Sequence, residues 1–198
     1  MKQSGRYRTS DLPEAQHQPG SRGRVLLNLQ GIKRKQEMDR VEAVAHIRAL
    51  REFLSTFSRD HRFSSSDIAI MHRIWLGEIY EWAGKYRQVN ISKGGSTFAA
   101  AAQIPVLMEE LDRGTLRSKT PCLFTEEASV AEALAVVHTE LILIHPFREG
   151  NGRLARMLAT LMAVQAGYPP WISEASAERR KKRTFRLFRR GWTGIMNR

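Results

Sequence analysis

Apolar side chains recur at helical spacing in several stretches, separated by polar breaks that contain glycine or proline. Over residues 36–57, Met38, Val41, Val44, Ala45, Ile47, Leu50, Phe53 and Leu54 follow one another every three or four positions, which predicts an amphipathic helix. Ser64, Ser65 and Ser66 offer N-cap types ahead of a second helix. Its apolar positions, Ile68, Ile70, Met71, Ile74, Trp75, Ile79 and Trp82, run to a stop at Gly84. The period changes over 86–98, where Val89 and Ile91 alternate with polar residues before Gly94-Gly95, and a short β-hairpin is predicted. Helical spacing returns around 104–111 and again over 125–144. The run HPFREGNG interrupts it, and it resumes over 153–167 with Leu154, Met157, Leu158, Leu161 and Met162. The first 35 residues are rich in Gly, Pro, Ser, Gln and Arg and broken by Pro13, Pro19, Gly20 and Gly23. They read as an extended arm, with Val25 to Leu29 as a short apolar anchor. Three parts result: an arm over 1–35, a helical domain over 36–172 and a tail over 173–198.

Composition narrows the class. A chain of 198 residues with 42% apolar side chains closes one real core, and no run approaches the roughly 18 apolar residues of a membrane span. A polar N-terminus excludes a signal peptide. The single Cys122 excludes a disulfide framework and a cysteine zinc site, so a reducing, cytoplasmic setting is expected, with secretion as an effector left open. The net charge of +12 suggests nucleic acid as a partner until its distribution is seen. Residues 179–198 hold nine basic side chains and no acidic one, three quarters of the total, and the body is close to balanced. Phe185 and Phe188 interleave with those arginines as in single-strand binders, which keeps a nucleic-acid module as a rival reading. Lys33, Arg34 and Lys35 read as a solvated run.

The chemistry concentrates between His145 and Arg156. Pro146 stops the preceding helix, and Gly150-Asn151-Gly152 lets the backbone approach a ligand just where the next helix begins. Exposed N–H groups and the positive end of the helix dipole then form an anion site. Arg153 and Arg156, three apart, add charge-assisted contacts from one side. Glu149 at the mouth, as a single carboxylate beside phosphate oxygens, suits Mg²⁺. His145 can take a hydroxyl proton near neutral pH. Any one of these residues alone reads as an ordinary turn, cap or solvated face; their gathering in one loop is the signal.

HPFREGNGRLAR resembles the Fic signature, His-x-Phe-x-Asp/Glu-Gly-Asn-Gly-Arg-x-x-Arg, at every defined position. LILIHPF, WAGKYRQVNISKGG and VLLNLQGI are also similar to Fic proteins, and the resemblance runs from about Gly23 to Trp171. It implies an all-α bundle with a β-hairpin flap beside the active-site loop, in agreement with the elements above. It also implies transfer of AMP from ATP to a Ser, Thr or Tyr hydroxyl of a target protein. Under that resemblance His145 is the base and Glu149 holds Mg²⁺ on the nucleotide. Gly150, Asn151 and Gly152 form the anion hole, Arg153 contacts the inner phosphates, Arg156 contacts the γ-phosphate and Phe147 anchors the loop. Phosphorylating members carry Lys at the first glycine, so Gly150 points to AMP transfer. The flap, with Ser92, Lys93, Gly94, Gly95 and Phe98, would align the target by strand pairing.

Elsewhere the chemistry is sparse. A metal site of His138, His145 and Glu149 is conceivable, but His138 reads better as a core histidine, and His46, His61 and His72 form no cluster at ligand spacing. Trp75 and Trp82 read as core. An inert Fic-fold interaction protein remains as a third class. Neither flank holds the complete string Ser/Thr-x-x-x-Glu-Gly/Asn of self-inhibited Fic proteins, so control by a separate antitoxin-like inhibitor is expected, or none. The tail departs from the usual Fic ending, AGLxxxYxPM. Back-translation from Phe185 allows a shifted frame reading SAVQAGLDRNYEPM, which predicts a frameshift near residues 181–183 and an accidental basic tail.

Overall fold

A computed structural model of the chain describes residues 11–93 and 96–170. The tail and its proposed frameshift, Phe185 and Phe188 included, lie outside the described residues, as do Gly94 and Gly95.

Among the described residues six α-helices build the domain: α1 (Lys35–Thr56), α2 (Ser65–Leu76), α3 (Ile104–Leu111), α4 (Arg117–Lys119), α5 (Glu127–Ile144) and α6 (Asn151–Gln165). A π-helical turn, Asp112–Leu116, joins α3 to α4. The central layer is α5 packed on α6, with α1 and α2 paired against it. Helix α5 buries Val130, Ala131, Ala133, Leu134, Ala135, Val137, Leu141 and Ile144 around most of its circumference, and its alanines let neighbours approach closely. Met157, Leu158, Leu161 and Met162 of α6 complete that core. Trp75 and Trp82 are buried, and Lys33, Arg34 and Lys35 are exposed, as their patterns suggested.

The start of α2 follows from its caps. Ser64 Oγ accepts from the Asp67 amide at 3.1 Å and Asp67 Oδ2 accepts from the Ser64 amide at 2.8 Å, a reciprocal box. Its end departs from the sequence expectation: the helix stops at Leu76, not at Gly84. Tertiary bonds compete for the following residues. Ile79 gives its carbonyl to the Leu29 amide at 2.9 Å, and Tyr80 donates to Glu42 of α1 at 2.6 Å. Gly84, at φ 80°, crosses so near α2 that a Cβ there would lie 2.7 Å from Arg73 Cβ.

The arm also needs correction, since residues 11–34 are a packed loop rather than an extended one. His17 bridges Leu26, Val25 is 2% exposed, and the Asn28 amide donates to the Leu26 and Ile32 carbonyls at 3.0 and 2.9 Å. Side-chain to backbone bonds of this kind replace the periodic apolar face that the segment lacks. The hairpin is present but short: β1 (Ser92–Lys93) pairs antiparallel with β2 (Ser96–Thr97), in register Ser92 to Thr97 and Lys93 to Ser96. Residues 86–91 form no regular ladder: the Arg87 amide donates to the Pro146 carbonyl and the Gln88 amide to Glu14, and the Ile91 carbonyl accepts across the hairpin, from the Phe98 amide at 3.5 Å.

Candidate active site

Helix α5 ends at His145, which adopts the left-handed conformation at φ 53° and ψ 59°. A non-glycine residue there is sparsely populated and stores of the order of 1–2 kcal/mol unless its surroundings hold it. Its Nδ1 lies 3.1 Å from the Ile142 carbonyl, so in the neutral ring that nitrogen carries the proton and Nε2 carries the lone pair. Phe98, from the chain leaving β2, stacks on the imidazole with ring centroids 3.7 Å apart. The half-buried imidazole thus has a set tautomer and one covered face.

The loop that follows is closed by buried groups. Asn151 Oδ1 accepts from the Phe147 amide at 2.9 Å and its Nδ2 donates to the Phe147 carbonyl at 2.7 Å, so its side chain is spent on the loop. Asn151 therefore offers an anion its backbone N–H, not its amide group. Phe147 is fully buried and stacks on His72 at 4.0 Å. His72 donates from Nε2 to the Glu149 carbonyl at 3.0 Å and accepts the Gly84 amide on Nδ1 at 2.8 Å. At Gly150 φ is 85°, and a Cβ would lie 2.7 Å from Trp75 Cζ3, so only glycine fits. Asn151 and Gly152 then open α6; the Arg153 amide already donates to the Gly150 carbonyl at 3.0 Å, so the first-turn N–H groups that lack an intrahelical acceptor are those of Asn151 and Gly152.

Arg153 is the centre of a charged network. Its Nη1 lies 2.7 Å from Oε2 of Glu42, a carboxylate only 3% exposed, and its guanidinium sits 4.7 Å above the Trp75 ring. The other nitrogen reaches Glu149 Oε1 at a looser 3.4 Å. Burial and the Glu42 carboxylate push the Tyr80 hydroxyl well above its ordinary range, so it stays a donor. Arg156 is exposed on the same helix, with one guanidinium nitrogen 3.7 Å from where a Gly152 side chain would begin. Although the residue is exposed as a whole, partial desolvation of its guanidinium and the Arg153 charge both lower its pKa. The structure thus gathers His145, Glu149, Gly150, Asn151, Gly152, Arg153 and Arg156 around one loop mouth. Ser92 and Lys93 sit in β1. Among the described residues no cluster of three or more His, Cys, Asp or Glu could hold a metal ion, which disposes of the His138 arrangement.

Glu42, Glu14 and Arg87 escaped the sequence reading, and His72 was read there only as a histidine outside any ligand cluster. Glu14 is buried, takes the Gln88 amide at 2.6 Å and gives its carbonyl to Arg148 at 2.8 Å, so the N-terminal loop braces the motif. None lies within the twelve-residue motif, and each acts on it across a long stretch of chain.

His72 yields a pH prediction. Burial holds its pKa down to about 4, and burial also lowers those of His46 and His138. The unfolded chain takes up these protons near pH 6.5 while the native state refuses them, so stability falls as pH drops from about 6.5 toward 4. Each proton so refused removes about 1.4 kcal/mol per pH unit. Urea midpoints at pH 7 and pH 5 measure the drop, and His72→Gln is expected to shrink it; an unchanged difference would reject His72 as a contributor.

Residues 62–163 match the model of the Fic/DOC family. The protein adenylyltransferase VbhT of Bartonella schoenbuchensis is 37% identical over 150 residues, 73% of this chain and 30% of VbhT, so the chain spans less than a third of that relative. The fold resembles the N-terminal Fic domain of a Bartonella effector protein from Bartonella sp. AR 15-3, with a TM-score of 0.68 and 21% identity over 84% of this chain and 77% of that one. It also resembles the N-terminal Fic domain of a VirB-translocated Bep effector protein from Bartonella quintana, solved with ADP bound. There the TM-score is 0.61 and the identity 26%, over 81% of this chain and 79% of that one.

Proposed function

Because the chain belongs to the Fic/DOC family, we propose that it is a protein adenylyltransferase, moving AMP from ATP to a Ser, Thr or Tyr hydroxyl of a target protein. The observation that carries this reading is the junction of α5 and α6. A histidine with its lone pair on Nε2 ends one helix, and the anion-binding start of the next, with two arginines, follows six residues later. His145 Nε2 takes the hydroxyl proton as the oxygen attacks the α-phosphorus. The bond from that phosphorus to the bridging oxygen breaks, and diphosphate leaves with the electron pair. The first-turn amides of α6, Arg153 and Arg156 balance the charge that builds on the phosphates.

Glu149 fits a role in holding Mg²⁺. Its carboxylate is about half exposed at the loop mouth, and among the described residues no group of three or more His, Cys, Asp or Glu gathers there, so phosphate oxygens and water would complete the shell, as Mg²⁺ prefers. The ion supplies charge neutralisation on the phosphates when bound. The loose Arg153–Glu149 contact can yield, giving that guanidinium nitrogen to a phosphate and the carboxylate to the cation. Gly150 supports AMP transfer over phosphorylation, since Trp75 leaves no room for the lysine of phosphorylating members. The flap, which the sequence reading extends over Ser92, Lys93, Gly94, Gly95 and Phe98, would receive an extended target segment along β1. Control would come from a separate small inhibitor protein, for which the exposed Arg156 is an accessible contact, or would be absent. Among the described residues no helix is long and apolar enough to cross a membrane.

The test uses ATP labelled on either its α- or its γ-phosphate, with Mg²⁺ and a cell lysate. Label from the α-phosphate alone on protein is the expected result. Label from the γ-phosphate, or none from either, would overturn the reading.

A further inference from the structure

We propose that Arg87 is a positioning residue that ties the flap and His145 into one unit; this rests on the reading of His145 as the base. Arg87 lies between α2 and β1 and is 1% exposed. Its guanidinium is caged by backbone carbonyls. Nε donates to His145 at 2.8 Å, Nη1 to Val89 at 2.7 Å, and Nη2 to Ala99 at 2.6 Å and Ile144 at 3.4 Å. Its own amide donates to the Pro146 carbonyl at 2.9 Å.

The origin of those carbonyls gives the residue its meaning. Ile144 and His145 end α5, where carbonyls lack intrahelical donors and where a cation suits the helix dipole. Val89 precedes β1 and Ala99 follows β2, so they are the two legs of the flap. One rigid fork therefore caps the helix that carries the base and clamps both legs of the hairpin. Two further contacts run the same way: the Ala99 amide faces the Leu143 carbonyl at 3.5 Å, and Phe98 stacks on the His145 ring. Burial lowers the Arg87 pKa and neighbouring Glu14 opposes that shift; no carboxylate is among its hydrogen-bond partners. A lysine keeps the charge but lacks the planar fork, and cannot reach both legs and the helix end together. The nucleotide side of the loop is held separately, by Asn151, His72 and Glu42. A strand added to the flap edge thus stabilises the same bonds that hold His145 in its left-handed conformation, so target docking and base alignment are coupled.

Arg87→Lys tests this with three readouts. ATP affinity is expected to stay within about twofold of wild type while kcat for AMP transfer falls at least about tenfold. Leu111→Ala, a core change in α3 remote from the site, is expected to keep kcat when assayed below its melting temperature. Amide hydrogen exchange in Arg87→Lys is expected to speed up at least about tenfold over 88–93 and 96–100 and over 143–147 together. In the wild-type chain the amides of Phe98, Ala99 and His145 are expected to open with the same protection, which needs neither the variant to fold nor the enzyme to turn over. Unequal protection in wild type, faster exchange in only one segment of the variant, or a kcat at the wild-type level would each overturn the proposal. Absence of label transfer by the wild-type chain would defeat the transfer reading instead, and exchange alone then judges Arg87.

Discussion

Replacing His145 by alanine is expected to lower AMP transfer by about 10²–10⁴-fold while leaving ATP binding within a small factor of wild type. The first figure is the usual contribution of a positioned general base. The second follows from the proposed separation of the two tasks: phosphates would meet the start of α6 and its arginines, which are held by Asn151, Glu42 and Trp75. Alanine at φ 53° keeps the left-handed strain and loses the stacking on Phe98, so a modest drop in melting temperature accompanies the change. Initial rates with α-labelled ATP and titration calorimetry with unlabelled ATP measure the two effects. Equal rates in the two proteins would remove His145 from the reaction, and equal losses of rate and affinity would make it a structural residue.

The second large effect is on stability. Glu42→Ala is expected to destabilise the domain by about 3–5 kcal/mol, the range found when one partner of a buried ion pair is removed. The carboxylate is 3% exposed and serves both Arg153 at 2.7 Å and the Tyr80 hydroxyl at 2.6 Å, so its loss strands a guanidinium and a phenol together. A loss of that size is a large share of the 5–15 kcal/mol of an ordinary domain. Glu42→Gln keeps an acceptor for both groups and gives up only the charge, and is expected to cost about half as much or less. Urea unfolding of the three proteins at pH 7 checks the order. A loss under about 1 kcal/mol in the alanine variant would mean that Arg153 finds water or Glu149 as an equivalent partner.

Much of this was legible along the chain because it is local. The apolar spacing of 104–111 coincides with α3, the serines before Ile68 cap α2, and Pro146 with the two glycines marks the junction of α5 and α6. Each is settled by residues within a turn or two of one another, through period, capping and φ preference. The motif loop was legible for the same reason, since base, carboxylate, amides and arginines all fall between His145 and Arg156. The choice among their roles was less local. The pattern put Asn151 in an anion site of backbone N–H groups, and only the fold shows that its side chain closes the loop on Phe147.

What packing decided is the set of groups that act on the motif from far away. His72 meets the Glu149 carbonyl across 77 residues, Arg87 meets His145 across 58, and Glu14 meets Arg148 across 134. No periodicity announces such pairs, because a glutamate on α1 or an arginine before a hairpin has the same local pattern whether it faces solvent or a buried carbonyl. The ends of α2 and of the N-terminal loop were misread for that reason as well: tertiary hydrogen bonds at Ile79, Tyr80 and Asn28 outweigh local preference. A buried polar group must be satisfied by whatever the folded chain brings within about 3 Å, and that neighbour is chosen by the fold and not by sequence distance.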